Sequence, residues 1–173
     1  MRWHELLVIG ATLLAGPAWS EPFGLGTPAT PEQVEAWDIS IGRNGENLPE
    51  GDGTVAEGKV VYEERCAAYH GEAGEGGIGD RLVGGQGTLA TDKPVKTVGS
   101  YWPYAPTLFD YINRAMPMDA PQSLTVDEVY AVSAYLLFLN GIVPEDARMD
   151  APALSAVVMP NRDNFVPDPR PDI

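Results

Sequence analysis

Three stretches of the chain carry apolar residues at helical spacing, each with recognisable start or stop signals. In the first, Thr54 to about Cys66, Val55, Lys59 and Tyr62 recur at helical spacing with Gly58, Val61 and Arg65 nearby, and Thr54-x-x-Glu57 forms a capping box. Gly58 costs roughly 1 kcal/mol against Ala inside a helix, so it marks either close approach by another helix or simple tolerance. The second runs from about Pro106 to Ala115, with a stripe of Leu108, Tyr111, Ile112 and Ala115. It stops before "MPMDAP", where Pro117 and Pro121 forbid continuation. The third runs from about Val126 to Asn140. Thr125-x-x-Glu128 caps it, Gly141 suits its C-terminal turn, and Val129, Val132, Leu136 and Leu139 share one face beside Tyr135.

The segments between them are irregular. Residues 71–87 hold eight glycines in seventeen positions, and residues 88–105 continue as loop to "SYWPYAP". The glycine run lacks the Lys-Ser/Thr ending of a phosphate loop. Residues 21–53 read as an extended arm containing one short helix, Pro31 to Trp37, capped by Thr30. Six prolines in residues 144–173 predict an extended tail. The expected fold class is therefore all-α, with three main helices and long loops. Three helices alone bury little core, and a large apolar cofactor at the centre would solve that packing problem.

Residues 1–20 read as a secretory signal peptide: Arg2, then an apolar run from Leu6 to Ala15, then Ala18-Trp19-Ser20 with cleavage after Ser20. No later stretch is apolar enough to span a bilayer. The mature protein is expected to be exported, and periplasmic in a Gram-negative cell. Eleven basic against 25 acidic residues give a net charge of −14, which cleavage leaves unchanged because Arg2 and Glu5 leave together. Nucleic acid and anionic membrane surfaces are excluded as natural partners.

Export gives weight to the single cysteine, Cys66, which admits no intrachain disulfide. His70, four residues on, is the only histidine of the mature chain. Cys66-Ala67-Ala68-Tyr69-His70 is one residue away from Cys-x-x-Cys-His, the haem c attachment motif. There, cysteines three apart add to the two haem vinyl groups and the histidine ligates iron. Here Tyr69 takes the second sulfur position, so one thioether and one unreacted vinyl are expected. The alternatives are a buried apolar thiol at Cys66 and a capping or surface histidine at His70. Zinc wants three or four ligands, and no second cysteine or histidine is available.

A second axial ligand is commonly methionine. Met116, before Pro117 on a segment barred from helix, is the leading candidate. Met118 is its near alternative, Met159 another further along, and core filling the competing role.

Gly58-x-x-x-Tyr62, Cys66-Ala-Ala-x-His70-Gly71, a Gly-rich loop, a Met-Pro loop and a last helix together resemble a class I cytochrome c. The resemblance implies that first and last helices cross at a glycine–aromatic contact, here Gly58 against Tyr135. More narrowly, "FGLGTPATPEQVEAWDISI", "TVGSYWPYAPTLFDYINRAMPMDAPQSLTVDEVYAVSAYLLFLNGIV" and "MPNRDNFVPDPRPD" resemble the cytochrome subunit of periplasmic sulfur-compound dehydrogenases of the Sox sulfane and sulfite types. That implies a cytochrome c domain over residues 54–143, three helices around one haem c, between the arm and the Pro-rich tail. It also implies electrons received from a molybdenum-cofactor subunit and passed to another cytochrome, with no catalysis by this chain alone. His70 and Met116 would hold the iron and Cys66 the macrocycle. Tyr101, Trp102 and Arg114 would contact the haem or its propionates, unless they serve ordinary packing or solvent exposure. Two other functions compete: an open-site haem protein with peroxidase-like reactivity, and a haem-free docking module.

Overall fold

A computed structural model describes residues 25–170; the signal-peptide segment lies outside them, as do residues 21–24 and 171–173. The described elements are α1 (Pro31–Trp37), β1 (Asp52–Thr54), α2 (Val55–Arg65), α3 (Ala67–His70), α4 (Ala105–Ala115), α5 (Val126–Leu139), β2 (Arg148–Asp150) and α6 (Ala151–Ala156). Among the described residues, no helix is long and apolar enough to cross a membrane.

α2, α4 and α5 form the frame. Thr54 and Thr125 each accept from the backbone N–H three residues on, and Glu57 and Glu128 reach back to the cap N–H groups, at 2.7–3.3 Å. These local bonds satisfy donors that a helix start would otherwise leave bare. α5 is the buried spine, with Val129 through Leu137 all inside. It packs chiefly on α2, and Gly58 is the reason it can come so close. A Cβ there would overlap the Ala131 carbonyl and reach Tyr135 Cβ at 2.9 Å. One turn further, the Tyr62 and Tyr135 rings meet at 5.4 Å. Gly58→Ala is expected to force the helices apart and cost about 3 kcal/mol. For a chain of this size that lowers the thermal midpoint by roughly 6–12 °C; an unchanged calorimetric midpoint would sink the close-contact argument.

The segment from 144, expected as an extended tail, instead folds back. β2 pairs antiparallel with β1, Met149 opposite Gly53, and Arg148 forms an ion pair with Asp52. α6 follows directly: Asp150 caps it at 2.8 Å, and a proline is accommodated in its first turn, where the missing N–H costs nothing. Met149, Leu154 and Met159 are buried in the same core as Tyr62 and Phe109. One of the six prolines that suggested extension, Pro152, is thus a helix starter, and the apolar residues near it supply the driving force.

Tyr130 lies wholly inside and donates to the Pro49 carbonyl at 2.8 Å. Burial, reinforced by the Asp150 charge, pushes its phenol up to about 12. Because the folded value is raised, the neutral phenol favours folding at all pH below the unfolded value near 10. That contribution is lost as pH climbs from about 10 to 12. Tyr62 behaves alike, pushed up to about 12 by burial first and the neighbouring Cys66 second. The urea midpoint should therefore hold to about pH 9.5 and fall above pH 10. Tyr130→Phe should make that fall shallower, and an identical slope in both proteins would refute it.

Candidate functional site

α2 ends at Cys66, whose N–H still bonds the Tyr62 carbonyl at 2.9 Å, and α3 restarts the helix one residue later. The N–H groups of Tyr69 and His70 both donate to the Cys66 carbonyl at 3.0 Å. That single turn brings Cys66, Tyr69 and His70 to one cavity of about 440 Å³. Cys66 is partly buried, and burial pushes its thiol up to about 11, so it is a neutral S–H at ordinary pH.

His70 is held by the glycine-rich loop. Its Nδ1 lies 2.7 Å from the Asp80 carbonyl. A carbonyl only accepts, so Nδ1 carries a proton, and in the neutral ring it is Nε2 that keeps the free lone pair. This is the arrangement of a metal-ligating histidine oriented by a backbone carbonyl. Gly79 makes it possible, since a Cβ there would stand 2.9 Å from His70 Cε1. The loop is pinned in turn by buried Asn140 at the end of α5. Its Oδ1 accepts from Gly84 N–H and its Nδ2 donates to the Leu82 carbonyl, both at 3.2 Å.

Met116 caps α4, donating its N–H to Ile112 at 3.0 Å and turning to extended backbone before buried Pro117. Its side chain is half-buried against the core and lines the same cavity. Leu108, Ile112, Leu124, Val132 and Leu136 make much of the remaining wall apolar. A thiol, an imidazole with a free nitrogen and a thioether therefore converge on a largely apolar cavity. That donor set and that wall fit a haem c.

A family model for cytochrome c matches residues 55–140, from the start of α2 to the end of α5. The fold superposes on the sulfane dehydrogenase SoxCD from Paracoccus pantotrophus with a TM-score of 0.80 and 43% identity, over 86% of this chain and 74% of that one. The chain belongs to the cytochrome c family. No curated protein sequence matches it. Family membership assigns it a covalently bound haem c and a role in electron transfer, and the helical frame is consistent with a class I cytochrome c fold.

Within this cytochrome c domain the expected contacts divide. Trp102 lines the cavity and stands edge-on to Tyr111, ring centres 5.7 Å apart. Tyr101 does not line it. Its ring packs on Phe165 at 5.5 Å with the Lys96 ammonium 4.9 Å away on its face. Arg114 does not line it either: it pairs with Asp110 at 2.7 Å and donates to the Ile39 carbonyl, because α4 turns this face towards the arm. Met118 reaches the cavity but is 69% exposed, whereas Met159 is buried elsewhere in the core.

Three cations that sequence reasoning did not single out for the site, Arg65, Arg81 and Lys96, do line it. Arg65 adjoins Cys66 and had a positional signal. Arg81 and Lys96 sit in aperiodic loop, where spacing says nothing about direction.

Proposed function

We propose that this cytochrome c is a periplasmic one-haem electron-transfer subunit. It accepts electrons from a molybdenum-cofactor sulfite or sulfane dehydrogenase and passes them to another cytochrome. The observation that carries the reading is the convergence of Cys66, His70 and Met116 on one apolar cavity. The dehydrogenase class is supported by the 43% identity to a chain of SoxCD. Export by residues 1–20 belongs to the same reading, as does the division into arm (21–53), cytochrome domain (54–143) and a C-terminal segment from 144 that folds back on it.

In this reading Cys66 would hold the haem by one thioether, its S–H having added across one vinyl group. Tyr69 occupies the second attachment position without a sulfur to add. His70 would present Nε2 to the iron while the Asp80 carbonyl holds the proton on Nδ1. Met116 would offer its thioether to the iron as well, a ligand that favours the reduced state and raises the potential. When bound, haem supplies one-electron ferric/ferrous chemistry. Trp102 and the apolar wall exclude water from it. Arg65, Arg81 and Lys96 suit the propionates by charge.

The deciding experiment is a pyridine haemochrome and intact mass on protein made in a periplasm with its haem-attachment machinery. One haem retained after denaturation, with a band displaced towards one unsaturated vinyl, is expected. Protein without haem would defeat the reading.

A further inference from the structure

The arm carries a helix whose large apolar side chains the described core does not use. α1 completes its own start, with Thr30 N–H donating to Gln33 at 2.9 Å and Gln33 N–H donating to Thr30 at 3.3 Å. Seven residues are far too few for a stable helix in water by propensity alone. Such a helix is useful only if something packs on it. Yet its large apolar side chains face solvent: Trp37 is 88% exposed, Val34 50%, and Leu25 just ahead of it 90%. Val34 and Trp37, three apart, share one face. No described α1 side chain joins the core or packs against it; contact with the core begins at Ile41. The shallow concavity beside the helix is lined only by arm residues, among them Thr27, Val34 and Trp37.

Two further features say what covers this face. The first is charge: between residues 25 and 42 the ionised side chains are Glu32, Glu35 and Asp38, with no lysine or arginine. A complementary groove is apolar at its centre and basic at its rim. The second is position. Immediately after α1 the chain is tied to α4, where Arg114 donates to the Ile39 carbonyl at 3.4 Å and Ile41 N–H donates to Asp110 at 3.0 Å. Tyr111 and Ile112 of the same helix line the cavity. Trp37 is two residues from this anchor, a reach of roughly 7 Å. Whatever seats Trp37 is therefore held close to the helix that walls the cavity, where an electron donor has to sit.

We propose that α1 is a docking helix that inserts Trp37 and Val34 into an apolar groove, rimmed by lysine and arginine, on the molybdenum dehydrogenase subunit. This rests on the reading of that subunit as electron donor. A short amphipathic helix in a groove is an established recognition mode, and tryptophan is the residue most able to anchor it.

The test titrates the haem-loaded mature chain and its Trp37→Ala variant against the separately produced molybdenum subunit of the same organism. Calorimetry gives Kd, and hydrogen exchange covers residues 30–38. At least tenfold weaker binding by the variant, with an unchanged haem spectrum and thermal midpoint, is expected. Protection of 30–38 in the wild-type complex alone is also expected. Equal Kd values with 30–38 unprotected would overturn the docking helix and leave the donor standing. Failure of the wild-type chain to bind would overturn donor and docking helix together. A wild-type dimer that Trp37→Ala dissociates, with no protection from the subunit, would assign the face to a second copy and overturn the proposal.

Discussion

Cys66→Ser is expected to turn a haem that survives denaturation with the polypeptide into one that acidic organic solvent removes completely. Cys66 is the only cysteine, so no other thiol can form a thioether. Its sulfur belongs to the cavity, partly buried and neutral. Without it, retention falls to His70, Met116 and the apolar wall, all reversible. The covalent fraction should drop from nearly all to none, read by intact mass after denaturation. The reciprocal variant, Tyr69→Cys, should saturate the second vinyl and shift the haemochrome band to the two-thioether position. Treated as a short-loop cross-link, the second tether stabilises by about 2 kcal/mol, or roughly 4–8 °C here. Covalent haem persisting in Cys66→Ser would mean that Tyr69 had become the attachment point, and the single-thioether assignment would fall.

What the sequence made legible follows from how local each signal is. Thr54 with Glu57, Thr125 with Glu128 and Thr30 with Gln33 are self-contained three-residue bonds, so their helices start where the letters say. Cys66 and His70 lie within one turn, and Met116 is placed by a helix stop that Pro117 announces. The return of the tail was not legible, because the strands Asp52–Thr54 and Arg148–Asp150 are three residues each and pair across almost a hundred positions. Its prolines argued for extension, while the burial of Met149, Leu154 and Met159 overrode them. That Tyr101 and Arg114 do not line the cavity was not legible, because composition gives an aromatic or a cation no direction. On α4, Arg114 falls on the face that Asp110 and the arm occupy, while Tyr111 falls on the cavity side. Arg81 and Lys96 reach the site through a loop whose path depends on Asn140, more than forty residues downstream.

Met116→Ala should abolish the methionine–iron charge-transfer band, shift ferric iron towards high spin and lower the reduction potential by on the order of 0.2 V. Met118→Ala should leave all three nearly unchanged. The two thioethers flank Pro117 and both reach the cavity, so chemistry alone does not choose between them. Preorganisation does. Met116 begins from a fixed backbone, its N–H bonded to Ile112 and its side chain packed against the core, so little freedom is lost on ligation. Met118 stands 69% in solvent and would have to surrender its rotamers and turn inward. Truncating Met116 also leaves an apolar void, for which about 2–3 kcal/mol of stability should be lost alongside the ligand. Truncating exposed Met118 should cost within about 0.5 kcal/mol. If Met118→Ala alone lost the band and Met116→Ala kept it, the axial assignment would pass to Met118. If both single variants kept it, the two thioethers would be interchangeable or another methionine would be the ligand, and the assignment to Met116 alone would fall.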